Sequence, residues 1–134
     1  MNLVDSSGWI EYLTRKPRAA AFRPHLTEPG LLVPTVVVYE VYKFLRREVS
    51  EEWAKRAVTR MRQAQVVPLD DSLAMEAAEA SLQHRLPFAD AVVFATARRF
   101  GAVLVTGDQH FEGLPGVEYI SGESDPGATP PTFA

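Results

Sequence analysis

No cysteine occurs among the 134 residues of the chain. Disulfide bonds, thiolate zinc sites and cysteine nucleophiles are therefore excluded. Long apolar runs are also missing, since none approaches the roughly 20 residues that a membrane-spanning helix needs. No basic stretch with an apolar run precedes the first strand-like segment, so we expect no secretory signal and a cytoplasmic location.

Several catalytic motifs are absent as well. The sequence contains no phosphate-binding glycine loop and no dinucleotide fingerprint. Ser6 and Ser7 lack the glycine context of a nucleophile elbow, which argues against a serine hydrolase. The net charge of -3 gives no overall basic signature for a nucleic-acid ligand.

Basic residues are nevertheless concentrated in one segment. Residues 43–62 contain seven of the 14 lysines and arginines, against three acidic residues. Such a patch can bind phosphate groups on a protein that is acidic overall, although the same pattern is typical of a solvated helix face. If the ligand is RNA, the residues predicted to contact it are Lys43, Arg46, Arg47 and Arg56.

Short strand-like segments alternate with helical ones along the chain. The pattern predicts strands at 2–4, 31–33, 65–68, 102–105 and 117–120, and helices at about 7–13, 17–26, 35–48, 51–63, 73–84 and 87–100. We expect Ser6 or Ser7 to cap the first helix and Ser72 the fifth. Residues 35–42 also suit a strand by composition, but the helical pattern continues to residue 48 without a turn signal.

This alternation predicts an α/β sandwich with a mainly parallel sheet, formed by a single domain over residues 1–120. Residues 121–134 are rich in Pro, Gly, Ser and Thr and are predicted to be a flexible tail. In parallel sheets, ligands bind outside the carboxyl ends of the strands. That edge is where a functional site is expected.

Two acidic residues follow predicted strands directly. Asp5 comes after the strand at 2–4, and Asp108 follows the strand at 102–105 through Thr106 and Gly107. Each has a purely structural alternative, because Asp5 can cap the next helix and Asp108 can form a turn beside a glycine. For each residue taken singly, both interpretations stay open.

Two further acidic residues lie on apolar helix faces. The neighbours of Glu40 at helical spacing include Val36, Val37 and Phe44, so Glu40 is predicted to face the core. A buried glutamate is rare without a partner, which can be a structural arginine or a functional ligand. Asp90 lies in the first turn of its helix, where the helix dipole favours a negative charge. Its face also turns inward, so capping and function are compatible.

Together the four acidic residues make a stronger case than each does alone. A half-buried carboxylate is costly unless it is paired, hydrogen-bonded or bound to a metal. Several ionised carboxylates in one site indicate a hard divalent cation such as Mg²⁺. Such a site suits metal-assisted hydrolysis of a phosphodiester, with Ser7 or Thr106 supporting the carboxylates and no covalent nucleophile.

At these residues the chain resembles the PIN-domain family, in particular the small toxins of VapBC-type toxin–antitoxin pairs. The matching pieces occur in order over residues 1 to about 120: Asp5-Ser6-Ser7 with Trp9-Ile10, Pro34 ahead of Glu40, Ala89-Asp90-Ala91 with Ala95-Thr96-Ala97, and Val105-Thr106-Gly107-Asp108 with Phe111. Each piece is weakly specific, whereas the ordered set is quite specific.

The resemblance implies a three-layer α/β/α sandwich around a central, mainly parallel five-stranded sheet. It implies a Mg²⁺- or Mn²⁺-dependent endoribonuclease that forms a homodimer and is inhibited by a small antitoxin. The metal-binding and catalytic residues that it implies are Asp5, Glu40, Asp90 and Asp108, with Ser7 and Thr106 as polar support. Many relatives carry a further acid after the Thr-x-Asp, where this chain has Gln109-His110, which leaves the second metal position open.

Two other classes of function compete with this interpretation. The first is a different phosphoryl-transfer protein, and the second is a non-catalytic module. A haloacid-dehalogenase-like phosphatase needs a second aspartate two residues after the first, where this chain has Ser7. A response-regulator receiver needs a lysine after a late strand, and the lysines here are Lys16, Lys43 and Lys55. A non-catalytic PIN-like module for RNA binding or assembly need not retain all four acids, so their joint presence argues against it.

Overall fold

The computed structural model describes residues 1–122. Its strands are β1 (Asn2–Val4), β2 (Leu32–Pro34), β3 (Gln65–Val67), β4 (Val103–Thr106) and β5 (Val117–Tyr119). Its helices are α1 (Ser6–Leu13), α2 (Ala19–Thr27), α3 (Thr35–Glu48), α4 (Glu51–Met61), α5 (Asp71–His84) and α6 (Phe88–Phe100), followed by a 3₁₀ turn at Gln109–Phe111. The order and type of these elements agree with the prediction. The predicted tail lies almost entirely outside the described residues.

The five strands form one parallel sheet in the order β3-β2-β1-β4-β5. The predicted α/β sandwich with a central parallel sheet is therefore confirmed. The chain builds the sheet outward from β1 to β3 and then returns to the other side of β1 with β4. The strand order thus reverses between β1 and β4, and their carboxyl ends are the expected place for a ligand.

The inner strands are buried on both faces, which explains their unbroken apolar runs. Leu3 and Val4 of β1 are fully buried, as are their neighbours on β2 and β4. Helix α6 is also central, because every residue from 91 to 97 is buried. In helix α3 the buried residues are Val37, Val41 and Leu45, which are four residues apart. This helical spacing agrees with the prediction of a helix, and not a strand, at residues 35–48. Within residues 1–122, no helix has the length and apolar character to cross a membrane.

The helix termini required two corrections to the sequence-based assignments. Asp5, and not Ser6 or Ser7, caps α1 by accepting a hydrogen bond from the backbone N–H of Gly8. Asp70, and not Ser72, caps α5, with 2.7 Å between Asp70 Oδ1 and the amide nitrogen of Leu73. In both cases an aspartate one or two residues upstream offers a stronger acceptor than the serine hydroxyl.

Candidate metal centre

The carboxyl ends of β1 and β4 lie side by side in the sheet. Val4 pairs with Val105 in the parallel register, and the backbone N–H of Asp5 donates to the carbonyl of Val105 at 3.3 Å. Asp5, which directly follows β1, therefore lies next to Thr106, the last residue of β4. The Thr106 hydroxyl donates to Asp5 Oδ2 at 2.6 Å. Residues 101 positions apart in sequence are joined here by the topology of the sheet.

Asp5 is the buried centre of this arrangement, with 4% of its surface exposed. Its Oδ1 accepts from the Ser7 hydroxyl at 2.6 Å and from the Gly8 N–H at 3.2 Å, while Oδ2 accepts from Thr106. Burial raises the pKa of Asp5 to about 6, although these hydrogen bonds oppose the increase. Asp5 therefore holds a fixed position, and its negative charge is costly there.

Asp108 is linked to the same network through Thr106. Its backbone N–H donates to the Thr106 hydroxyl oxygen at 2.9 Å, so this one buried hydroxyl contacts both aspartates. The side chain of Asp108 then accepts from the His110 N–H at 2.9 Å and caps the 3₁₀ turn. The Ser7 hydroxyl oxygen accepts from the Gly107 N–H at 3.2 Å, which holds the same loop from the other side. The two predicted supporting residues, Ser7 and Thr106, are thus in direct contact with the acids.

Helices α3 and α6 add the other two predicted carboxylates. Glu40 is half-buried, and burial raises its pKa; the negative charges of Asp90, Asp5 and Asp108 raise it further, while a hydrogen bond with Ser6 opposes them. The pKa of Asp90 is raised by burial first and then by Asp108. The structure therefore brings Glu40 within electrostatic range of the other three acids, and Asp108 within range of both Asp5 and Asp90. Their mutual repulsion is what a bound cation would relieve.

The carboxylate oxygens of the site suit a hard divalent cation, which prefers oxygen ligands. Asp5 and Asp108 follow β1 and β4 at one edge of the sheet, and the charges of Glu40 and Asp90 interact with this pair. Hard cations take such carboxylate oxygens together with water. Asp90, Asp108 and His110 each offer one donor atom, and these three atoms lie within 4.8 Å of one another. The arrangement can therefore hold a metal without a change of fold.

His110 belongs to the site, although no local pattern in the sequence separates it from the other two histidines. Its Nδ1 lies 2.9 Å from Asp90 Oδ2 and 3.2 Å from Asp108 Oδ1. The hydrogen bond with Asp90 and the charges of both aspartates raise the pKa of His110. The other two histidines lie elsewhere, with His25 beside Glu118 and His84 against the ring of Phe94.

Arg18 was also missed, because its partners are distant in sequence. Its guanidinium donates to the carboxylate of Glu11 at 2.8 Å and to the carbonyls of Gly107 and Ile120 at 3.3 and 3.2 Å. A side chain at Gly107 would overlap this guanidinium. The glycine before Asp108 therefore leaves room for this guanidinium, and its backbone does not adopt the left-handed conformation that would require glycine.

The predicted RNA-contacting residues lie on α3 and, for Arg56, in the middle of α4, and most of them pair with exposed glutamates. Three of these pairs are Arg46 with Glu51, Arg47 with Glu48, and Arg56 with Glu52. Lys43 instead lies over the ring of Tyr39, one helical turn beyond Glu40. Exposed ion pairs contribute at most about 1 kcal/mol, so a phosphate can replace the glutamate partner.

Comparison with known proteins places this geometry in context. Residues 3–117 match the family described as the PIN domain. No curated protein matches the chain. Among solved structures, a toxin–antitoxin complex from Klebsiella pneumoniae superposes with a TM-score of 0.75 at 20% identity, covering 90% of this chain and 100% of that one.

Two further structures show the same fold. VapC20 from Mycobacterium tuberculosis, a toxin described as cleaving the sarcin–ricin loop, gives a TM-score of 0.71 at 24% identity, with 86% of this chain and 95% of that chain covered. DNA-bound VapBC from Salmonella typhimurium gives 0.70 at 18% identity, with 90% and 98% covered. At these identities the superpositions establish the shared fold over nearly the whole length of each neighbour.

Proposed function

The chain belongs to the PIN domain family, and from this premise we propose that it is a divalent-metal-dependent endoribonuclease and the toxin of a type II toxin–antitoxin pair. The observation that carries the proposal is the convergence of four carboxylates at the carboxyl ends of β1 and β4 and on α3 and α6. A fold needs no such cluster for its stability, because like charges in a buried site destabilise it. Function is the better explanation for its presence.

The residues that would hold Mg²⁺ or Mn²⁺ are Asp5, Asp90 and Asp108, with Glu40 beside them. A bound ion of this kind polarises a phosphoryl oxygen and lowers the pKa of water. Thr106 donates to Asp5 Oδ2 and so keeps this carboxylate ionised and oriented. Glu40, whose pKa is raised by burial, is suited to accept a proton from an attacking water at its carboxylate oxygen.

RNA contact is proposed for the basic residues of α3 and α4. Lys43 has the best placement, because it follows Glu40 by one helical turn and presents its ammonium group at the surface. The contributions of Arg46, Arg47 and Arg56 require that a phosphate displaces their glutamate partners. Because the net charge is -3, this local patch and not the whole surface must attract the substrate.

The neighbours also support the proposed partner. The Klebsiella and Salmonella structures are a toxin–antitoxin complex and a VapBC complex, and VapC20 is described as a sarcin–ricin-loop-cleaving toxin. By likeness of fold, we infer a small cognate antitoxin that inhibits this chain. A homodimer and a cytoplasmic location remain predictions from the family resemblance and the sequence.

Cleavage of total cellular RNA by the purified protein tests the nuclease. We expect fragments in Mg²⁺ or Mn²⁺, none in EDTA, and none from folded Asp5→Asn or Asp90→Asn protein. Glu79→Gln is the matched control, because it also removes one negative charge but lies exposed on α5. Cleavage by both aspartate variants at the wild-type rate would contradict the proposal.

Expression in cells tests the toxin role separately. We expect growth arrest when the wild-type chain is produced alone and growth when Asp5→Asn or the cognate partner is present. Harmless expression of a soluble, metal-binding wild-type protein would count against the toxin role. It would favour the non-catalytic interpretation if RNA cleavage were also absent.

A further inference from the structure

The side chain of His110 lies where a metal ligand would lie, beside two of the proposed ligands. Its Nδ1 is 2.9 Å from Asp90 Oδ2 and 3.2 Å from Asp108 Oδ1. In an octahedral shell with metal–ligand bonds of about 2.1 Å, adjacent ligands are about 3.0 Å apart. The two distances from Nδ1 thus match the spacing of adjacent ligands, and the donor atoms of Asp90, Asp108 and His110 all lie within 4.8 Å of one another.

The backbone fixes His110 in this position. Phe111 is fully buried, which anchors the 3₁₀ turn to the core. Asp108 caps the same turn by accepting from the His110 N–H at 2.9 Å. The imidazole is nevertheless 60% exposed, so the fold does not need it for packing. A side chain that is held by its backbone, faces two carboxylates and is not used in the core is available for a ligand.

We propose that His110 ligates the metal through Nδ1, together with Asp90 and Asp108, so that the site has a mixed nitrogen and oxygen donor set. This inference rests on the proposed function, since it concerns the metal of the same site. In the bound state the neutral ring would carry its proton on Nε2. Imidazole favours the later divalent transition metals, whereas Mg²⁺ prefers carboxylate and water oxygens. Affinity for such a ligand set rises from Mn²⁺ to Co²⁺, so we expect the site to prefer Co²⁺, and less strongly Mn²⁺, over Mg²⁺.

Pulsed EPR of the Mn²⁺-loaded full chain tests this ligand directly. We expect a nitrogen hyperfine coupling typical of bound imidazole in the wild type and its loss in His110→Ala. His25→Ala is the matched control, because His25 also lies beside a carboxylate, 3.6 Å from Glu118, but outside the site. The nitrogen hyperfine coupling of the His25→Ala variant should equal that of the wild type.

Titration calorimetry provides the second readout. We expect His110→Ala to weaken Mn²⁺ binding about tenfold or more, and to change Mg²⁺ binding by less than about threefold, because Mg²⁺ gains little from a nitrogen ligand. His110→Asp restores an all-oxygen donor set. This variant should shift the preference from Mn²⁺ toward Mg²⁺.

The outcomes separate this inference from the proposed function. If Mn²⁺ binds without nitrogen coupling, His110 is not a ligand and the inference is wrong, while the carboxylate metal site stands. Persistence of the coupling in His110→Ala has the same consequence. If the folded wild-type chain binds neither Mn²⁺ nor Mg²⁺, both the inference and the proposed metal-dependent function are wrong.

Discussion

Replacing Asp5 by Asn should stabilise the metal-free protein while it removes metal binding. Burial raises the pKa of Asp5 from the ordinary value of 3.8 to about 6. In the unfolded chain the group ionises at its ordinary pKa, so the folded state binds more protons between these two values. Stability therefore falls as the pH rises from about 4 to 6. The difference corresponds to about 3 kcal/mol, since one pH unit of pKa difference is about 1.4 kcal/mol.

Asparagine removes the charge but keeps the size of the side chain and its ability to cap α1. It replaces one acceptor oxygen with an NH₂ group, which weakens the contact with Thr106 by about 1 kcal/mol. At pH 8 in EDTA we therefore expect Asp5→Asn to be more stable than the wild type by about 2 kcal/mol. Near pH 4 the advantage should disappear, because the wild-type carboxyl is then neutral in the folded protein.

Urea unfolding in EDTA at several pH values between 4 and 8 measures this difference, with Glu79→Gln as the exposed control. Saturating Mg²⁺ should reverse the order of stability, because binding at 100 times Kd adds about 2.7 kcal/mol to the wild type alone. A difference between wild type and Asp5→Asn that does not change with pH would refute the assignment of a costly buried charge. A variant that Mg²⁺ stabilises as much as the wild type would refute the role of Asp5 in metal binding.

Three further substitutions test the network around the site. Thr106→Val should destabilise the protein by about 1–3 kcal/mol, because it leaves Asp5 Oδ2 and the backbone N–H of Asp108 without this hydrogen-bond partner. Urea unfolding measures the change, and an unchanged unfolding midpoint would contradict it. Arg18→Gln should weaken Mg²⁺ binding, because it releases the carbonyl of Gly107 next to Asp108; calorimetry on the folded variant decides, and unchanged affinity would limit Arg18 to a structural role. Gly107→Ala should reproduce the Arg18 phenotype, because its side chain would displace the guanidinium.

Some features of the site were predictable because their signal is local. The inward orientation of Glu40 follows from the helical spacing of its apolar neighbours, and the structure finds Glu40 half-buried. Asp5 was recognisable because it directly follows the apolar pair Leu3-Val4 of a short buried strand, and parallel strands place their carboxyl ends at one edge. The whole order of strands and helices could be predicted for the same reason, since each element has its own periodicity or turn signal.

Other features could not be predicted, because they depend on which distant segments meet. Arg18 contacts carbonyl groups 89 and 102 residues away, and no local pattern marks an arginine on a short helix for that role. His110 contacts an aspartate 20 residues away, and the contact needs both the register of β4 and the position of α6. Helix ends were misassigned by one or two residues where a serine and an aspartate both offered a cap.

The sequence left helix capping and a functional role as two interpretations of the aspartates. In the structure the capping aspartates still lie together at the proposed site, so the two roles are compatible. Asp5 caps α1, Asp108 caps the 3₁₀ turn, and Asp90 lies in the first turn of α6. Backbone N–H groups and the positive ends of helices partly offset the cost of keeping these acids charged at one edge of the sheet. The fold can therefore form before a metal binds, with the repulsion among the acids only partly relieved. A cation bound at the proposed site would therefore meet preorganised ligands, and it would remove a repulsion that the fold has already tolerated.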